Sequence, residues 1–193
     1  DLVRSRGLGD VYKRQNPPHP SNLRSITVFT VMRAFSEEVL GIKAAIQGVV
    51  VGVVVERPAA GKSYAQWIAA LEKSGQTIDA RAAAKDPVAG QKLLRHITGI
   101  ERWGQSRLRV FLGAPFVRDE YDGYQPGKEM SLDQQRAAFR ETRAETLDLA
   151  RQIEAAGIPA TAKVEHNQIG PLSARGWLRY LEMHGSIEIK KLR

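Results

Sequence analysis

Two histidines and one glutamate have the types and spacing to hold a metal ion. In the run LLRHITGIERWGQSRLRVFLG, His96 falls between Leu93 at i−3 and Ile100 at i+4, with Ile97 beside it. A helix here carries the imidazole on its apolar stripe rather than toward solvent. In WLRYLEMHGSIEIKK, residues Trp177, Leu181, His184 and Glu188 recur at helical spacing, which stacks His184 and Glu188 on one face a turn apart. Two imidazoles and a carboxylate are competent ligands for zinc or ferrous iron, and they leave positions open for water and substrate. The chain has no cysteine, so thiolate ligands, cysteine nucleophiles and disulfides are excluded together. The same residues also admit plainer roles. Either histidine could be a core residue satisfied by a backbone carbonyl, and Glu188 a surface residue paired with Lys191 at i+3.

Other residues bear on chemistry less directly. His166 opens HNQIGPLS just ahead of the last helix, where it could serve as a catalytic proton shuttle or spare ligand, or simply help to cap that helix. His19 lies in the loop-like NPPHPSNLRS and receives no role. Glu101 is about 140° around the helix from His96, so it faces elsewhere and is expected to pair with Arg102 and Arg107. Asp119, Glu120 and Asp122 lack the alternating oxygen ligands of a calcium loop and read as a turn. Trp103 and Trp177 suit a core or a pocket wall. VVVGVVVERPAAGKS ends like a phosphate-binding loop, but the position of its first glycine is Glu56, and Pro58 removes an amide donor. Nucleotide binding there is not expected.

The elements that position these residues carry their own signals. Ser63 caps a helix through SYAQWIAALEKSGQTIDARAAA that Gly75 should interrupt or weaken. Asp86 and Pro87 open a long helix to about Leu112, stopped at Gly113. Ser131 and Gln134 form a capping box for a helix ending before Gly157, and Ser173 caps the last helix. Four helices joined by loops predict an all-α fold, an up-down-type four-helix bundle over residues 61–193. The loop over 113–130 is long for a helix connection, and its tyrosines predict that it is packed. Ahead of the bundle, residues 16–60 form an N-terminal extension in which AAIQGVVVGVVVERP reads as a buried strand.

Over 193 residues the net charge of +8 is spread without a concentrated basic tract, and the cations are interleaved with acidic residues along helix faces. They read as solvated faces and ion pairs, and nucleic acid is not an expected partner. No apolar run reaches the roughly 20 residues of a membrane helix, and no secretory pattern opens the sequence. The expectation is a cytoplasmic protein with a small-molecule substrate and no membrane partner.

The run LLRHITGIERWGQSRLRVFLGAPF, the loop DEYDGY and the tail HNQIGPLSARGWLRYLEMHGSIEIKK together resemble the DinB-like superfamily of four-helix-bundle metal-dependent enzymes, over about residues 61–193. That resemblance implies a three-histidine site, one on the second helix and two on the last helix four residues apart, for zinc, nickel or a similar ion. His96 and His184 match the first two positions; Glu188 stands where the third histidine is expected. The resemblance further implies a thiol-dependent S-transferase with a low-molecular-weight thiol as cosubstrate. A metal-dependent hydrolase and a non-catalytic association module are the alternatives, and a homodimer is compatible with either. Residues 1–15, DLVRSRGLGDVYKRQ, have no apolar face and resemble a translated sequencing-adapter stretch, so they are expected to add nothing to the core.

Overall fold

The structure is a computed structural model that describes residues 51–84 and 86–191. The adapter-like residues 1–15, His19 and the first part of the expected strand lie outside the described residues. What is described is mostly helical, with one small strand pair. After a π-helical turn, Gly52–Glu56, come α1 (Arg57–Ala60), α2 (Tyr64–Ala83), α3 (Pro87–Phe111), α4 (Leu132–Ala155) and α5 (Ala174–Glu188). A 3-10 turn, Tyr121–Tyr124, lies between α3 and α4, and another, Ile189–Lys191, follows α5.

The four long helices begin where the caps are. The Ser63 hydroxyl accepts from Gln66 N at 3.2 Å and the Gln66 side chain accepts from Ser63 N at 2.9 Å. Asp86 accepts from Ala89 N at 2.9 Å, and Ser131 and Gln134 close the same reciprocal box as Ser63 and Gln66. Helices α3 and α4 stop two residues before Gly113 and Gly157, both with positive φ, at 96° and 62°. Helix α2 runs unbroken through Gly75, contrary to the expected weakening: a Cβ there would meet Arg143 Cγ at 3.2 Å, so the glycine makes room for that side chain.

The expected strand is corrected too. Residues Gly52–Ala60 are helical. A short β-branched run cannot by itself distinguish a buried strand from a buried helix, and tertiary contact decides it here. Val55 and Ala59, one helical turn apart, are 3% and 0% exposed in the same core cluster as Trp67 and Trp177, so that core includes residues before position 61. Between them Glu56 reaches across to accept from Ser173 N and Ser173 Oγ, both at 2.8 Å. Only glycine at 176 admits that carboxylate, because a Cβ would sit 2.2 Å from Glu56 Oε1.

Helix α4 packs on α2 and α3, and α5 packs on the same two. Helices α3 and α5 approach closely at Gly104, where a Cβ would lie 2.6 Å from Leu181 Cδ2. The strand pair is an antiparallel hairpin of β1 (Lys163–His166) and β2 (Gly170–Ser173), with Val164 opposite Leu172 and His166 opposite Gly170. It buries Val164 and Leu172, and Trp177 Nε1 donates to Val164 O at 3.1 Å. The long loop is packed through Asp119. Its carbonyl accepts from Trp103 Nε1 (3.1 Å) and Asn167 Nδ2 (2.7 Å), and its carboxylate from Arg107 Nη1 (2.8 Å) and the Tyr124 hydroxyl (2.5 Å). Among the described residues no helix is long and apolar enough to cross a membrane.

Candidate metal centre

Helix α3 presents His96, and α5 presents His184 and Glu188 from successive turns. The two imidazole centroids lie 5.1 Å apart. His184 Nε2 stands 3.9 Å from Glu188 Oε1, and one ligand atom from each of the three residues lies within 4.8 Å of the others. Ligand atoms about 2.0–2.1 Å from a single zinc at tetrahedral angles lie about 3.4 Å apart, so side-chain shifts of roughly 1 Å would close the group around an ion. The donor set fits a divalent cation of borderline softness.

The surroundings favour neutral imidazole over imidazolium. Burial, and then the adjacent His96, push the His184 pKa down to about 4. A neutral imidazole keeps its lone pair free at neutral pH, as a metal ligand requires. The Glu188 side chain is only 13% exposed, and Lys191 Nζ pairs with it at 2.5 Å. Its surface partner expected from the i+3 spacing is therefore present, yet the carboxylate also faces the histidines.

Beside His184 opens a cavity of about 300 Å³, walled by Ile100, Trp103, Tyr121 and Tyr180 and reached by Glu120, His166 and Asn167. Tyr121 meets His96 edge to face at 5.4 Å. Burial and then Glu188 hold the Tyr180 hydroxyl well above its ordinary range, at about 12, so it remains a hydrogen-bond donor. Tyr180 was findable in the sequence, since it lies four residues before His184 on the same face; the contributions of Tyr121 and Asn167 depend on the loop and the hairpin and left no local signal.

His166 does not join the three-residue group. It ends β1 at 4% exposure, stacked on Trp177 at 5.2 Å and in edge contact with Trp103 and Tyr180 at 4.8 and 4.6 Å. Its Nδ1 accepts from the backbone amides of Gln168 (3.2 Å) and Ile169 (3.4 Å), which places the proton on Nε2. Burial lowers its pKa to about 4. Near pH 7 such a group is neutral, and its Nε2 is buried with no hydrogen-bond partner among the described residues. Because the folded value lies below the unfolded value of 6.5, its stabilisation is complete above that pH and is lost as pH falls toward 4. Between pH 7 and pH 5 the loss should be about 2 kcal/mol. Urea denaturation of wild type and His166→Gln at both pH values measures it: the variant should lose about 2 kcal/mol less on acidification, and parallel losses would contradict the assignment.

Glu101 is not paired as expected. It forms a two-pronged ion pair with Arg143 of α4 at 2.6 and 2.9 Å, whereas Arg102 donates to Thr142 Oγ1 and Arg107 binds Asp119. Trp103 and Trp177 are where their size suggested, the first at the cavity and the second fully in the core. Compared with family models, curated proteins and solved structures, the chain matches none.

Proposed function

We propose that the chain is a DinB-like, metal-dependent enzyme whose His96, His184 and Glu188 hold one divalent cation, zinc or nickel before iron. The observation that carries this reading is the convergence of three ligand atoms from two helices, within 4.8 Å, at the edge of an aromatic-walled cavity. The packing order supports a four-helix bundle, since α2, α4, α3 and α5 can be followed as a closed ring of neighbours. Held by His96, His184 and Glu188, a divalent cation would lower the pKa of a bound thiol or water and so would supply a nucleophile near neutral pH. The protein's own part is to orient and enclose. Tyr121 and Tyr180 wall the place where a substrate would lie, with the Tyr180 hydroxyl kept protonated.

The resemblance favours thiol-dependent S-transfer, with a low-molecular-weight thiol as cosubstrate, over hydrolysis; a small-molecule substrate and a cytoplasmic location belong to the same reading. One observation favours a non-catalytic bundle instead: the 2.5 Å pair between Glu188 and Lys191 satisfies the carboxylate without any ion. Metal analysis separates the two. Protein loaded with zinc and freed of excess should retain about one ion per chain, and His184→Ala should retain almost none. A wild-type chain that keeps no zinc would support the scaffold and end the enzyme reading.

A further inference from the structure

A second concave feature lies away from the candidate metal centre, between α2 and α5, with a volume of about 440 Å³. Its walls are two rows of helical neighbours. Lys73, Thr77 and Arg81 succeed one another at i, i+4 and i+8 along α2. Glu182, Ser186 and Lys190 do the same along α5 and the turn after it.

The charge of this groove is unbalanced. Its carboxylate, Glu182, is already engaged: Arg179 Nη1 lies 3.0 Å from one oxygen, and the Ser186 hydroxyl donates to the other at 3.0 Å. Lys73, Arg81 and Lys190 are all exposed, and among the described residues none has a carboxylate within 4.0 Å. Helix-surface arginines elsewhere on the same bundle are matched, as Arg136 and Arg140 are by Asp79. Cations that converge on a concavity without counterions raise the local concentration of anions. The Thr77 hydroxyl is committed to its own helix, at 3.0 Å from Lys73 O, so the ammonium and guanidinium groups carry recognition.

Spacing narrows the ligand. Residues eight apart on a helix are separated by about 12 Å along its axis, more than a single phosphate spans. We propose that this groove binds a small molecule bearing two or more phosphate groups, its ends held by Lys73 and Arg81 and its flank by Lys190. Arg81 offers bidentate contact to one phosphate, and the two lysines act as point charges. The proposal is independent of the candidate metal centre.

Calorimetric titration of the full chain with tripolyphosphate at low ionic strength tests it, with inorganic phosphate and a short DNA duplex as comparison ligands. Tripolyphosphate should bind saturably at one site, at least about tenfold tighter than phosphate. The combined variant Lys73→Gln, Arg81→Gln, Lys190→Gln should weaken it at least about tenfold, whereas Arg151→Gln with Lys163→Gln, equally exposed and outside the groove, should change it less than about twofold. Binding should survive in His184→Ala, which separates the groove from any ion held at the histidines. Losses in proportion to the charge removed, three in one variant and two in the other, would reduce the effect to diffuse net charge and overturn the proposal. So would an absence of saturable binding, or a groove-dependent affinity for the duplex alone. The five substituted lysines and arginines are exposed, and unchanged melting temperatures would show that the fold is intact.

Discussion

Replacing Arg143 with methionine should destabilise the protein by about 3–5 kcal/mol, the largest loss expected from any single substitution considered for this chain. Arg143 and Glu101 are 4% and 2% exposed, and every polar arm of the pair is used. The guanidinium meets both oxygens of Glu101 and also donates to Leu71 O and to Ser74 Oγ. Glu101 accepts in addition from the Thr146 hydroxyl at 2.8 Å, and Gln105 donates to Thr142 O and Thr146 Oγ1. Three helices, α2, α3 and α4, are tied together by this one cluster. Without Arg143 the carboxylate stays buried with the Thr146 hydroxyl as its remaining donor, and its desolvation is no longer offset. The pair itself is a different matter. Replacing both members, Glu101→Leu with Arg143→Met, should recover most of the loss, because two apolar groups of similar volume carry no such penalty. Guanidinium unfolding at neutral pH reads both variants, and a single-variant loss below about 1 kcal/mol would show that water reaches Glu101. Glu101 lies on the helix that carries His96, so the network also anchors that helix against α2 and α4.

The same cluster shows what could be read from the sequence and what could not. Helix starts were legible because a cap is a local event: Ser63, Asp86, Ser131 and Ser173 each bond an amide three residues on, and no distant residue is needed. His96, His184 and Glu188 were legible as inward groups through helical periodicity, which also depends only on near neighbours. That the two faces meet is a tertiary fact, and the structure brings those side chains together. Where a distant partner decides, local reading failed. Glu101 has arginines one and six residues away, yet it pairs with one 42 positions on. Gly75 read as a weak point in its helix because the side chain it accommodates lies on α4. The valine-rich run at 51–55 suited a strand by composition and became helical through Val55, Ala59 and the reach of Glu56 to Ser173. The hairpin of 163–173 gave no alternating signal strong enough to predict, since its strands have four residues each, and with it went the buried setting of His166.

Zinc affinity should fall by more than about 100-fold in Glu188→Ala, beyond the 10- to 100-fold that removal of a group outside the ligand set typically causes. The reasoning is one of donor count. His96 and His184 alone would leave the ion two protein ligands, and catalytic zinc sites hold three. Glu188→His should retain or raise affinity, because an imidazole at the same helical position restores three nitrogen donors and has no attraction for Lys191. Lys191→Met supplies the internal control. Its ammonium is 64% exposed, so the ion pair with Glu188 is worth under about 1 kcal/mol, and removing it should strengthen zinc binding by no more than about fivefold. The opposite account, in which Glu188 is held only by Lys191, predicts that every one of these changes leaves zinc binding alone and shifts stability within about 0.5 kcal/mol. Competition titrations of the apo wild type and the three variants against a chromophoric chelator decide between them. Equal affinities in wild type, Glu188→Ala and Glu188→His would remove Glu188 from the ligand set, and with it the third donor that the candidate site requires.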